Sequence, residues 1–394
     1  MLFSIDKIRK IPGNGDKELH KITNRNSDNC QNEKWKYLHI IFPELKFSKP
    51  MISTLTAQEN GLEPEKHYFM VYSKPIYDEL KCFGNVIYYE PEDEKYAIFE
   101  IINKYGDRCN WIFVHGFNNI KNLFKIKRKY RGKIIWRSWG HDIFKYRKEN
   151  SLKNIVKKIY AYFFYLRIIR QFRAIGIANF IDAANLERNH IKNDSVFTLN
   201  YLANDTVLSV AEDAADNSAP VRVMIGHSAC REDNYPALID MLEKYRENNV
   251  RFIFPLSYGE TGMYAQEVKE KAAAQLGREK CEFLDSIMPY NEYCDFLNHI
   301  DILILDGKGS YAIGNISLCI LRRKKIFLNR YGTISEAFRR EKLPFSCTDE
   351  INNMTFEEFI SPSVYPDILP KAVMPKGNRE IVEGWKSCLT ELEK

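Results

Sequence analysis

The sequence predicts an α/β protein made of two facing, doubly wound domains, and three observations predict it. Apolar, β-branched runs alternate with amphipathic helical patterns through most of the chain. At 394 residues the chain exceeds one ordinary core and suits two domains of roughly 150–200 residues each. Two apolar runs also end in glycine just before a helical pattern. One is Val221-Arg222-Val223-Met224-Ile225-Gly226; the other is Asp301–Asp306 followed by Gly307-Lys308-Gly309.

In chain order, residues 1–34 form a polar extension and 35–210 a first α/β domain. Strand patterns in that domain fall at 37–42, 67–72, 85–89, 111–115, 133–136 and 176–181. A polar, turn-prone link at 200–220 precedes a second domain over 218–376, and a last helix over 377–394 can cross back to the first. In the second domain, strands at 221–226, 250–257, 281–285, 301–306 and 325–329 alternate with helices. Such units form a parallel sheet that binds ligands at the carboxyl ends of its strands.

Composition narrows the function. No run of 18 or more uncharged apolar residues suggests a membrane span, and the start lacks a signal-peptide pattern. Nine scattered cysteines with no CxxC pair fit the reduced thiols of a cytoplasmic protein. The net charge of +6 is uneven: residues 121–173 hold 17 Lys or Arg against only Asp142 and Glu149. Within that segment, 151–174 mixes bases with Tyr160, Phe163, Phe164 and Ile168, a pattern that suits an anionic membrane surface or a core helix with a solvated face. A basic patch also fits nucleic acid, but no recognition module accompanies it.

The two glycine crossings point to a phosphate, because a helix start presents unpaired N–H groups and the positive end of its dipole. Gly226, His227, Ser228 and Arg231 belong to the first crossing; Ile313, Gly314 and Asn315 open the helix after the second. Tyr258 is placed to stack on a base, with Tyr264 and Glu267 next along the chain for a sugar. The bland readings are turn residues, a surface arginine and packed aromatics. In the first domain, the strand ends bearing His115 and Asn118, and Trp136, Trp139 and Asp142, suit a hydroxylated acceptor. Asp142 or His115 can take a proton, and Asp142 can equally cap a helix. No GxxxxGK[ST] loop is present, and the dinucleotide fingerprint is only partial.

The pattern Trp136-x-x-Trp139-Gly140-x-Asp142 resembles the bacterial 4-acetamido-4,6-dideoxygalactose (Fuc4NAc) transferase family of enterobacterial common antigen synthesis. His115-Gly116, Gly226-His227-Ser228 with Arg231, Tyr258, Tyr264, Glu267, Ile313-Gly314-Asn315 and Leu328-Asn329-Arg330 resemble it as well. The resemblance implies two Rossmann-like domains in the GT-B arrangement, working without metal or cofactor. The donor, a nucleotide-sugar of the dTDP type, binds the C-terminal domain. The acceptor, a polyprenyl-pyrophosphate-linked glycan, binds the N-terminal one at the inner face of the cell membrane. The rival readings are a GT-B transferase or sugar-nucleotide epimerase with a soluble substrate, and a nucleic-acid-binding protein.

Overall fold

The computed structural model describes residues 34–83, 85–117, 120–140, 142–143, 152–201, 219–374 and 376–394. The polar extension up to residue 33, Asn118 and most of the 200–220 link lie outside them. The first half runs β1 Trp35–Ile40, α1 Leu45–Thr56, β2 His67–Val71, α2 Lys74–Leu80, β3 Val86–Tyr88, α3 Ala97–Tyr105, β4 Cys109–His115, α4 Arg128–Arg131, β5 Ile134–Arg137, α5 Leu152–Ile169, β6 Ala174–Ile177, α6 Phe180–Arg188 and β7 Val196–Thr198. The second runs β8 Val221–Ile225, α7 Tyr235–Leu242, β9 Val250–Pro255, α8 Met263–Ala272, β10 Cys281–Leu284, α9 Tyr290–Asn298, β11 Ile302–Leu305, α10 Ile313–Leu321, β12 Lys325–Leu328, α11 Thr333–Arg340 and β13 Ser346–Cys347. Helices α12 Phe356–Ile360 and α13 Asn378–Leu392 follow.

Each half is one parallel sheet. The first has the order β3-β2-β1-β4-β5-β6-β7, the second β10-β9-β8-β11-β12-β13. Strand order reverses between β1 and β4 in the first sheet and between β8 and β11 in the second, so each has a crevice at those carboxyl ends. Central strands are apolar on both faces, as helices on both sides require: β11 is Ile-Leu-Ile-Leu and wholly buried. Of the four edge strands, β7 and β13 have no such run, β7 being exposed at both ends and β13 only two residues long, which is why the sequence pattern does not announce them. Helix α1 is obscured by Pro50, which lies inside it.

Helix α13 packs on the first sheet. Ile381, Trp385, Cys388, Leu389 and Leu392 form one helical face and share a core with Tyr37, Phe113, Ile135 and Ala174. Trp385 donates to the Asn200 carbonyl at 2.6 Å. A Cβ at Gly384 would stand 2.4 Å from the Thr198 carbonyl oxygen, so glycine lets this helix close on β7. Beneath Trp385 lies a chain of three buried imidazoles. His67 Nε2 is 2.8 Å from the Leu62 carbonyl, His67 Nδ1 is 2.8 Å from His39 Nε2, and His39 Nδ1 is 3.0 Å from His115 Nε2. A carbonyl only accepts, so in the neutral chain every ring carries its proton on Nε2. His115 Nδ1 is then an acceptor, buried and without a partner. Burial lowers all three below the usual histidine range, His67 to about 4 and His115 to about 3.

Two outcomes are expected. Gly384→Ala should lower the urea unfolding free energy by about 1–3 kcal/mol, because the methyl meets backbone that has no room to move. Because these histidines bind protons more weakly folded than unfolded, stability should be full above about pH 6.5 and fall as pH drops toward 4. His39→Gln, compared with wild type by urea unfolding at both ends of that window, should show a shallower fall.

Candidate active site

The two glycine crossings come together, because β8 and β11 are hydrogen-bonded neighbours at the second sheet's switch point. They differ in what occupies their donors. At the first, Gly226 is left-handed (φ +72°), and a Cβ there would lie 2.4 Å from Tyr235 Oη and 2.9 Å from Asp233 Oδ2. The fully buried Asp233 carboxylate uses that space. It accepts from the backbone N–H of His227 at 2.9 Å and of Ser228 at 3.4 Å, and lies 3.0 Å from His227 Nδ1. The expected phosphate cradle of Gly226, His227 and Ser228 is therefore filled by the protein's own anion. What this crossing presents are side chains: Ser228 Oγ lies 3.2 Å from His227 Nε2.

The second crossing is open. Asp306 anchors its start, accepting from Asn234 at 2.7 Å, from Asn329 at 3.1 Å and from Thr348. The left-handed Ala312 (φ +55°) precedes α10, whose start has no side-chain cap. Nothing lies within 4 Å of where a Cβ would stand on Gly314. Asn315 is held by Tyr293, whose hydroxyl donates to its side chain at 3.3 Å. The Tyr311 ring lies flat on His227 at 4.6 Å. The hydroxyls of Ser310 and Tyr311 are buried without a hydrogen-bond partner, and burial keeps the Tyr311 phenol protonated by raising it well above its ordinary value. An uncapped helix start, an open glycine and two unsatisfied hydroxyls offer donors of the kind that an anion accepts.

Around it, Tyr258 is about half exposed (49%) and meets His227 edge-on at 6.2 Å. Arg231 donates to Glu260 at 3.0 Å and covers the buried Tyr264 ring at 4.3 Å. Its charge is already paired, and Glu267 is exposed on α8.

In the first half the expected proton acceptors are engaged elsewhere. Asp142 accepts from Trp136 Nε1 at 2.8 Å, Trp139 N at 2.9 Å, Phe117 N at 3.1 Å and Ser138 Oγ at 3.3 Å. It ties the ends of β4 and β5 together. Trp136 is a core side chain. His115 ends the imidazole chain and is buried. Trp139 packs on Phe47 at 4.5 Å and beneath the Arg137 guanidinium at 4.4 Å, and its indole N–H has no partner. Asp182, Asp233, Ser310 and Tyr311 escaped the sequence reading. The strand pattern placed at 176–181 hid the helix start Asn179-x-x-Asp182, whose Asn179 caps α6. Among the described residues, Cys347, Asp349 and Glu350 could meet on a metal ion, but Arg330 already pairs with both carboxylates.

Two parallel sheets with helices, each with a switch point, have the GT-B fold, as solved structures show. A glycosyltransferase from Rickettsia africae superposes with a TM-score of 0.53 at 14% identity, covering 91% of this chain and 94% of that one. HepE of Anabaena in complex with UDP gives 0.52 at 12% identity, covering 90% and 95%. The UDP-forming α,α-trehalose-phosphate synthase of Burkholderia vietnamiensis gives 0.51 at 7%, covering 91% and 99%. The model of the 4-alpha-L-fucosyltransferase family, glycosyl transferase group 56, matches residues 50–394, and the chain belongs to that family.

Asp142→Ala should cost about 2–4 kcal/mol in urea unfolding, since it strands several buried donors. Affinity for nucleotide should be unchanged in the variant under native conditions, which isothermal titration with UDP and dTDP would check.

Proposed function

We propose that the protein transfers an amino-deoxy sugar of the Fuc4NAc type from a dTDP-linked donor to a polyprenyl-pyrophosphate-linked glycan in surface-polysaccharide assembly. The observation that carries the donor half is the bare start of α10 with the unpartnered Ser310 and Tyr311 hydroxyls beside it. As the glycosidic bond to the donor breaks, charge builds on the diphosphate. Helix-start N–H groups at Ile313, Gly314 and Asn315 stabilise that charge without a metal ion. In this reading Arg231 turns from Glu260 to the diphosphate, Tyr258 stacks on the base and Glu267 accepts from sugar hydroxyls. His227 and Ser228 contribute side chains rather than backbone. HepE holds UDP in its solved complex, which supports a nucleotide-sugar here.

The acceptor side is Trp139 and the neighbouring strand ends, with Asp142 and His115 as positioning groups. Asn118 belongs to the same strand end but lies outside the described residues. Helix α5 supports a membrane-borne acceptor. Val156, Ile159, Tyr160, Phe163 and Phe164 are exposed along it, with exposed Phe124 from the preceding segment, amid the basic run. No helix among the described residues is long and apolar enough to cross a membrane. An apolar stripe flanked by bases instead lies in the headgroup layer of an anionic bilayer.

Incubation with dTDP-, UDP- and GDP-sugars should release nucleoside diphosphate from one class; release from none overturns the reading. Gly314→Val should weaken dTDP or UDP binding at least about tenfold while leaving the melting temperature unchanged, because the side chain points into open space. Flotation should show binding to vesicles containing phosphatidylglycerol and not to neutral ones, and Tyr160→Asp with Phe163→Asp should abolish it.

A further inference from the structure

Transfer to a hydroxyl needs a group to take its proton; Asp142 is engaged by four donors, and burial makes His115 a weak base although its Nδ1 is free, which turns attention to other carboxylates. The seam between the two halves contains one. Gly140, left-handed at φ +75°, is the point where the Trp139 strand end meets the loop leading into α10. A Cβ on Gly140 would stand 3.0 Å from Ser310 Oγ on one side and 3.1 Å from Asp182 Oδ1 on the other. The absence of a side chain leaves a gap between a carboxylate of the first half and an unpartnered hydroxyl of the second.

Asp182 is held for this position from both sides. Its Oδ2 accepts from Ala178 N at 2.9 Å and Asn179 Nδ2 at 3.3 Å, at the carboxyl end of β6. Its helix, α6, is clasped by the second half. Phe180, Ile181 and Ala184 share a core with Phe338 of α11, and Arg188–Glu336 and Arg340–Glu187 pair across the same contact. The distance from Asp182 to the start of α10 is thus set by packed helices, not by a loose loop.

We propose that Asp182 is the catalytic base of the transfer. Its Oδ1 takes the proton of the acceptor hydroxyl as the hydroxyl oxygen bonds to the anomeric carbon. The bond from that carbon to the diphosphate breaks, and its electron pair leaves on the diphosphate at α10. Ser310 Oγ hydrogen-bonds the incoming hydroxyl. A single displacement of this kind inverts the anomeric centre. Asp182 is only 3% exposed, so an acceptor reaches it by movement of the Gly140 and Ser310 turns while α6 stays clasped to α11. The groups that act on it are Arg137, which favours its charged form, Asp142, which opposes it, and the nearby Tyr201. Glu336 and Arg340 of α11 are paired at the other end of α6. Burial outweighs Arg137 and raises the Asp182 carboxyl to about 6, within the range where a carboxylate is both ionised and basic enough to work.

The proposal rests on the transferase reading, and the test separates the two. With the nucleotide-sugar that the panel selects, Asp182→Asn should lower kcat by about 100-fold or more while leaving the Kd for dTDP or UDP unchanged. The wild-type rate should fall below about pH 6 and that limb should be absent in Asp182→Asn. Asp182→Glu should recover part of the rate and the acid limb, which a merely structural role would not produce. Activity of Asp182→Asn within about threefold of wild type with the same pH profile, or retention of configuration in the product, overturns the assignment. A wild-type protein that binds nucleoside diphosphate and turns over while Asp182→Asn is unaffected removes only the base. A wild type that binds no nucleotide and releases none removes the transferase reading and the base with it.

Discussion

Buried carboxylates organise this protein. A strand end that turns into a loop or helix exposes backbone N–H groups that need an acceptor, and a buried carboxylate is tolerated only when donors surround it. Asp142 gathers the ends of β4 and β5, and Asp233 fills the turn after β8. Asp306 fixes the start of the loop after β11 to Asn234, Asn329 and Thr348. Asp142 and Asp233 meet the needs of strand ends and the charge of a carboxylate with the same hydrogen bonds, while the half-buried Asp306 is held by side chains. Glycine accompanies them where backbone and side chain must crowd, as at Gly226, where a Cβ would strike both Tyr235 and Asp233.

The architecture was legible where burial imposes a pattern. Central strands such as β8, β9, β11 and β12 are covered on both faces and are apolar along most of their length, with Arg222, Arg251 and Lys325 near their starts, so their runs stand out. β7, exposed at both ends, and the two-residue β13 leave no comparable trace. Helix α1 was obscured because Pro50 suggests a break, whereas the chain continues helical to Thr56.

The site was legible in part, and for a definable reason. Position along the chain singled out both glycine crossings, and parallel pairing of β8 with β11 brings them to one crevice. Sequence cannot say whether the donors of a glycine turn are free, because the atom that satisfies them comes from further along. At Gly226 it comes from Asp233, seven residues later and itself read as nothing. The same limit affected Asp142 and His115: residue type suggested proton transfer, while the partners that engage them became visible only in three dimensions. Asp182 was hidden by a strand pattern extended to 181, past the point where Asn179 caps a helix.

The filled strand ends give the bare one its meaning. The turn after β8 has its N–H groups matched to a carboxylate, and the ends of β4 and β5 share another. The start of α10 lacks a capping side chain, as most helix starts here do, but it adds open space where a Cβ would stand on Gly314 and two buried hydroxyls without hydrogen-bond partners. Each unsatisfied buried hydroxyl costs on the order of 1–3 kcal/mol, an amount that fold stability alone gives no reason to retain. In the proposed function, a diphosphate supplies the acceptors these groups lack and the negative charge that the helix start favours. The same reasoning links the seam to the site, since Ser310 belongs both to the unsatisfied pair and to the gap facing Asp182. Beside the seam, the start of α10 and the Ser310 and Tyr311 hydroxyls are thus left with donors for which the described residues supply no acceptor.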